Sequence, residues 1–108
     1  MALTAIDAVR RRNEAMEQVV NHADELDPNW SDRAYSALEL YCKKVAEPFI
    51  IEDVRAWAEG LGLISPPHDS RAWGAVIRRA AGNGRVRKVG FAPARSSNLS
   101  PKVLWQAV

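Results

Sequence analysis

Arginine residues recur along one face of a predicted helix, residues 70–82, and they are the residues of this chain best suited to a chemical role. With Trp73 at the centre of the buried face, a rotation of about 100° per residue turns several side chains away from the core. Those opposite the core or on its flank are Arg71, Ala75, Arg78, Arg79 and Gly82. Arginine can donate paired hydrogen bonds to a guanine edge or to a phosphate. The small residues Gly74 and Ala75 would let the helix backbone approach such a partner, although a neighbouring helix is the alternative.

The charge balance is unequal along the chain, although the net charge is only +2. Residues 1–68 contain seven Lys or Arg and twelve Asp or Glu, a balance of −5. Residues 69–108 contain eight Lys or Arg and one acid, Asp69, a balance of +7. A solvated surface usually mixes its signs, so this basic block favours a polyanionic partner. The alternative is a basic face that only serves solubility.

A predicted hairpin carries the remaining cations. Strands are expected at about 86–91 and 103–107, and the connecting loop, residues 92–102, has the proline and serine content of a mobile wing. Basic residues in such loops commonly reach phosphates or a narrow minor groove, with an ordinary solvated loop as the alternative. The predicted DNA-binding residues are Ser70, Arg71, Gly74, Ala75, Arg78, Arg79, Arg85, Arg87, Lys88, Arg95 and Lys102.

The sequence offers no set of residues for catalysis. His22 and His68 are far apart in the chain, and no cysteine or histidine lies at a metal-binding spacing, so no catalytic, metal or cofactor site is expected. Cys42 is the only cysteine, which excludes an internal disulfide, and its apolar helix face predicts a buried, inert thiol. His68 suits a turn or a phosphate contact better than acid–base work. We expect a protein without enzymatic activity.

Four helices are predicted to position these residues. Hydrophobic residues at helical spacing, with breaks at proline and glycine, predict helices at about 4–26, 31–46, 52–60 and 70–82. Ser31 and Asp69 are the expected caps of the second and fourth helices. The run Phe49-Ile50-Ile51 predicts one short strand before the third helix, although Ile51 is a poor cap for that helix.

The four tryptophans are assigned from the same periodicity. Trp57 and Trp73 lie on apolar helix faces and Trp105 alternates within an apolar strand, which favours core positions over a base-stacking platform. Trp30 is expected either to staple the second helix or to be partly exposed.

The first helix has a hydrophobic seam with alternating spacings of three and four residues. The seam consists of Ile6, Val9, Asn13, Met16, Val20 and Ala23. Such a seam is typical of a short coiled coil, and an asparagine at one core position can fix the register of a dimer. Residues 4–26 therefore predict either a homodimer or a helix that packs on its own domain, and the pattern does not decide between them.

The order of elements indicates the fold class. Without the first helix, the order is helix, short strand, helix, helix, strand, loop and strand, which is that of a winged helix-turn-helix. We therefore expect a mainly α protein with a small β-hairpin (α+β), with an N-terminal helix at residues 1–28 and a winged helix-turn-helix domain at residues 29–108.

Several segments resemble small winged-helix proteins encoded in bacteriophage and prophage genomes. The resemblance covers about residues 27–108 and is carried by four runs: Phe49-Ile-Ile-Glu-Asp-Val, Pro66-Pro67, Asp69-Ser-Arg-Ala-Trp-Gly-Ala-Val and Val103-Leu-Trp105. It implies DNA binding in a bacterial host cell. It does not distinguish a transcriptional role from a replicative role or from one against host defence.

These observations predict a non-enzymatic protein that binds duplex DNA with the helix at 70–82 and the wing at 92–102, as a phage or prophage regulator or replication accessory. The alternative is a winged-helix module that binds a protein partner. The sequence has no signal-peptide pattern and no apolar run long enough for a membrane span, so we expect a soluble cytoplasmic protein.

Overall fold

Four α-helices are followed by one antiparallel hairpin in the part of the chain that the structure describes. This structure, a computed structural model, gives the backbone of residues 5–94 and 100–108 and the side chains of residues 14, 15, 17–93 and 101–108. The elements are α1 (Ala5–Leu26), α2 (Trp30–Lys44), α3 (Ile51–Gly60), α4 (Ala72–Gly82), β1 (Val86–Ala94) and β2 (Ser100–Ala107). The expectation of an α+β protein with a small hairpin is confirmed.

The core is centred on Trp30 and Trp73, whose relative exposures are 0% and 1%. Residues from every helix and from β1 pack around them. The expectation that Trp30 is partly exposed is therefore wrong, because its ring is buried against Trp73. Trp57 and Trp105 pack against this core but are only half-buried.

The start of α2 differs from the expectation in its capping. The helix begins at Trp30, and Asn29 precedes it in the left-handed backbone region with a φ of 62°. Ser31 is not the N-cap; its backbone N–H and its hydroxyl both donate to the carboxylate of Asp24 at 2.8 Å. A carboxylate from α1 thus satisfies one of the free N–H groups at the start of α2.

The predicted strand at Phe49-Ile50-Ile51 is reduced to one residue. Phe49 forms an isolated antiparallel bridge with Trp105, with backbone hydrogen bonds of 2.8 and 2.7 Å. Ile51 is already the first residue of α3. The backbone N–H of Ile50, the residue before the helix, donates to the carboxylate of Asp53 at 3.2 Å. The acid in the first turn therefore compensates for the missing polar cap.

The fourth helix begins two residues later than predicted. Ser70 and Arg71 lie in a tight turn, in which Ala72 donates to the carbonyl of Asp69 and Trp73 to that of Ser70 at 3.0 and 3.1 Å. Asp69 still serves this end of the helix, since its carboxylate accepts the backbone N–H of Arg71 at 2.9 Å. At the other end Gly84, with a φ of 74°, turns the chain into β1.

The hairpin strands are longer than predicted, so the loop between them is shorter. Residues 92–94 pair with residues 100–102, which the sequence had placed in an open wing. The register shifts between Lys88 and Gly90, where β1 contains one extra residue, Val89. The central part of the predicted wing, residues 95–99 with Arg95, lies outside the described residues.

The described part of α1 packs on its own chain. Ala23 is 3% exposed, and Val19 and Val20 contact the same core. Two of the six seam positions, Val20 and Ala23, are therefore used within the chain, while the side chains of the other four lie outside the described residues. No helix in residues 5–94 has the length and apolar character that a membrane crossing requires.

Candidate nucleic-acid interface

The exposed strip of α4 is narrow. Arg78, Arg79 and Gly82 are exposed, whereas five residues of this helix are buried in the core: Ala72, Trp73, Val76, Ile77 and Ala80. This separation of faces follows the predicted helical periodicity. The strip continues into the preceding turn, where Ser70 and Arg71 are also exposed.

Arg71 is held by the acid next to it. Its Nε lies 2.9 Å and its Nη2 2.6 Å from Oδ2 of Asp69, so one carboxylate oxygen receives two guanidinium hydrogen bonds. The side-chain hydrogen bonds from Arg71, and then the bond from its backbone N–H, lower the pKa of Asp69 to about 2. Asp69 is the one acid of the basic segment, residues 69–108, so Arg71 is the cation whose charge it offsets.

Arg79 is bound to α2 rather than directed freely to solvent. Its Nη1 lies 2.9 Å from Oδ1 of Asp32, and its guanidinium carbon is 4.4 Å from the ring centroid of Tyr35. Both partners of the ion pair are about half exposed or more, so the pair adds little to stability. The contact does fix the direction of the guanidinium along the α2 side of α4.

Ala75 approaches a neighbouring helix. Gly74 and Ala75 are half-buried, and Ala75 lines a cleft of about 480 Å³ between α4 and α1. The α1 side of this cleft is formed by Glu17, Val20, Asn21 and Asp24, and Arg78 and Arg79 lie on its α4 side. Ala75 thus lies at the edge of this cleft, so a partner that reaches Ala75 would also lie beside α1.

The base of the hairpin contributes exposed cations on a different element. Arg87 and Lys88 are exposed on β1, directly after the buried Val86. Lys88 pairs with Trp105, and its Nζ lies 4.5 Å from the ring centroid of Phe91. Lys102, on β2, is half-buried and pairs with Ala92.

Arg85 is placed apart from the other cations. It is exposed, but it lines a cleft of about 220 Å³ together with Glu39, Lys43 and Val108 at the α2 side of the fold. The predicted site residues thus form two groups, the α4 strip with its preceding turn and the hairpin. Arg85 directly precedes the hairpin and lines the cleft at the α2 side, not the cleft beside α1.

Two features of the surface were not predicted. Phe91 is 61% exposed, although an aromatic residue in an alternating strand is expected to turn toward the core. His22 and His68, which the sequence separates widely, meet edge to face with ring centroids 5.3 Å apart. The Phe91 exposure depends on how far the hairpin extends beyond the core, and the histidine contact depends on how α1 crosses the turn before α4. Neither relationship has a signal in local sequence pattern.

The histidine pair does not extend into a metal site. Glu25 Oε2 lies 3.6 Å from Nδ1 of His22, and Asp69 follows His68 but is bound by Arg71. Within the described ranges, no three His, Cys, Asp or Glu side chains are arranged to hold a metal ion.

Cys42 is half-buried rather than fully buried, and burial, with a smaller effect of Glu39, raises the pKa of its thiol. A raised pKa keeps the thiol protonated and unreactive.

Comparison with protein-family models, with curated proteins and with solved structures gives no match for this chain. The resemblance to phage and prophage winged-helix proteins therefore stays a prediction from the residues that carry it.

Proposed function

We propose that this protein binds duplex DNA without catalysing a reaction, through the exposed strip of α4 and the basic hairpin of a winged helix-turn-helix. The observation that carries the proposal is the placement of the basic segment. Of the seven cations of this segment whose side chains the structure describes, six are exposed, and the single acid among residues 69–108 is bound to Arg71. Acids from the helices also reach this surface, since Asp32 pairs with Arg79. DNA phosphates would offset the net charge of +7 that residues 69–108 carry.

The arrangement of elements supports the winged-helix part of the proposal. The order from α2 to β2 is helix, bridging residue, helix, helix and hairpin, and the bridging residue Phe49 pairs with β2 through Trp105. In a helix-turn-helix, the second helix of the pair lies in the major groove and is led by its N-terminal residues. In this proposal that helix is α4, and the exposed residues of the turn that leads into it are Ser70 and Arg71.

The two groups of cations have different roles in this proposal. Arg71 and Arg78 lie one behind the other on the strip of α4, where guanidinium groups can reach base edges. Arg87 and Lys88 lie on the paired strand β1 and serve as phosphate contacts, which position the protein without reading sequence. A role as a phage regulator or replication accessory stays a prediction.

Fluorescence anisotropy with a labelled random duplex tests the proposal. Arg87→Ala/Lys88→Ala should weaken binding and reduce the salt slope by about 2, because two phosphate contacts are lost. Lys43→Ala/Lys44→Ala is the matched control, since it removes the same charge from the exposed last turn of α2. The control should leave binding nearly unchanged. Equal losses in both variants would show that only net charge matters and would contradict the assigned surface.

Base contact by α4 is tested separately. Arg71→Ala and Arg78→Ala should each weaken binding to a preferred sequence by about 1–3 kcal/mol, provided that circular dichroism shows an unchanged fold. Unchanged binding of the folded double variant would refute the role of α4 while leaving that of the hairpin open to the first test.

A protein-interaction module is the second candidate, and a specific observation favours it. Leu61 and Leu63, in the turn between α3 and α4, are 62% and 46% exposed. These two leucines are separated only by Gly62, and contiguous exposed apolar patches are a feature of protein-binding surfaces. Leu61→Ser/Leu63→Ser should leave DNA binding intact if DNA is the ligand, because these side chains belong neither to the exposed strip of α4 nor to the hairpin.

A further inference from the structure

Phe91 is an exposed aromatic side chain on the paired strand β1. Its backbone pairs with Val103 in the antiparallel hairpin, yet the residue is 61% exposed. Leaving a phenylalanine ring in water forgoes the favourable free energy of its burial. A partner that covers the ring would recover part of that free energy.

The geometry of the hairpin explains why the ring lies outside the core. Side chains two residues apart on a strand share a face, so Val103, which pairs with Phe91, shares its face with Trp105. Trp105 is half-buried and bridges to Phe49, so this face of the hairpin begins against the core. Phe91 lies on the same face but nearer the tip, beyond the point where the helices cover it.

The charged group that lies against the ring is a cation. Lys88 Nζ is 4.5 Å from the ring centroid, while Lys102, which pairs with Ala92, lies on the opposite face of the hairpin. Residues 70–108 contain no Asp or Glu at all. A partner for this surface therefore needs negative charge beside a flat or apolar group.

We propose that Phe91 contacts the bases of bound DNA, as an apolar wedge between the phosphates that the hairpin cations hold. Nucleic acid combines dense negative charge with apolar base faces, and phenylalanine side chains are used by other proteins to part base steps from the minor groove. This inference rests on the proposed DNA binding and adds to it a contact that cations cannot supply.

The test compares Phe91→Ala with Val89→Ala on the same labelled random duplex. Val89 is the matched control, because it is 41% exposed on the same strand but is not aromatic. Phe91→Ala should weaken binding about tenfold with an unchanged salt slope, since no charge is removed. Val89→Ala should change affinity less than twofold.

A second measurement tests base unstacking. The fluorescence of a duplex containing scattered 2-aminopurine should increase on binding the wild type and not on binding Phe91→Ala, because the wedge unstacks bases.

The possible failures are distinguishable. If the wild-type protein does not bind the duplex, the proposed function itself is wrong. If the wild type binds and Phe91→Ala binds equally well, or if the substitution instead abolishes self-association of the protein, the inference about Phe91 is overturned. An unchanged thermal unfolding transition of Phe91→Ala, which the exposure of the ring predicts, excludes misfolding as the cause of a loss.

Discussion

The indole rings of Trp30 and Trp73 meet edge to face at the centre of the molecule, with ring centroids 5.4 Å apart and planes inclined by 80°. Each ring also donates its indole N–H, Trp30 to the carbonyl of Ser65 at 2.9 Å and Trp73 to Oε1 of Glu59 at 3.2 Å. The pair therefore joins α2 to α4 and ties both to α3 and to the turn that follows it.

The tryptophan pair should dominate stability. Trp73→Ala should lower the free energy of unfolding by about 3–5 kcal/mol, because it leaves a cavity and an unpaired Glu59, and that is a large part of a small domain's stability. Trp57→Ala should cost less, since Trp57 is half-buried. Urea unfolding followed by circular dichroism measures both. A stably folded Trp73→Ala that has lost only DNA affinity would show that Trp73 stacks on bases.

The helical part of this fold was predicted well from the sequence. The spacing of apolar residues along each helix, which the sequence shows directly, also determines which side chains the core buries. The buried side of α4 and the end of α1 follow from that pattern. Helix starts were predicted less well, since they depend on long-range partners: Asp24 reaches Ser31 from another helix. The exposure of Phe91 was unpredictable for a related reason, because alternation specifies a face of the strand and not whether the core extends that far.

The candidate site was predictable as a list of residues but not as a surface. Charge counting identified the basic segment, whereas the ion pairs that hold Arg71 and Arg79 depend on the fold. Arg79 is 47 positions from Asp32 in the chain, so no local pattern could have paired them.

Releasing Arg71 should strengthen DNA binding. Asp69→Asn removes the negative charge, while an asparagine oxygen can still accept the backbone N–H of Arg71 and preserve the turn. We expect affinity for a random duplex to rise about twofold to fivefold at low salt, as measured by fluorescence anisotropy. A loss of affinity in a folded variant would mean that Asp69 instead orients Arg71 for its contact.

The same pair sets a pH dependence. The folded-state pKa of Asp69 is about 2, below the ordinary value of 3.8. A lowered carboxyl pKa stabilises the folded state above the ordinary value, and that contribution is lost as the pH falls through the folded value. Asp69 should therefore remain ionised at pH 3.5, with its carboxyl resonance in an NMR titration moving between about pH 3 and pH 1. Titration near pH 4 would show that the pair does not form.

The acidic side of α1 should weaken DNA binding locally. Glu17 lines the cleft that Arg78 and Arg79 also line, so its carboxylate would compete with bound phosphates for these arginines. Glu17→Gln should raise affinity about twofold to fivefold at low salt. The matched control is Glu14→Gln, an equal change on an exposed residue one turn away, which should raise affinity less. Equal effects of the two substitutions would assign the effect to net charge alone.

Packing of α1 within the chain favours a monomer. Val20 and Ala23 of the seam contact the chain's own core, so a second copy would have to use the remaining seam positions. Sedimentation at tens of micromolar should give a single species of 12.0 kDa. A species of twice that mass that reverts to the monomer in Val9→Glu/Met16→Glu would establish the homodimer through residues 4–26 instead.

The salt dependence of duplex binding tests the central claim most directly. Binding of the wild-type protein to a random duplex is measured by anisotropy from about 50 to 200 mM salt, and the logarithm of the affinity is plotted against that of the salt concentration. Phosphate neutralisation predicts a straight line with a slope of about −0.9 per phosphate, so four or more contacts from the α4 strip and the hairpin give a slope of about −3.6 or steeper. A slope near zero, or no binding at 50 mM salt, would contradict the proposal that this protein binds duplex DNA.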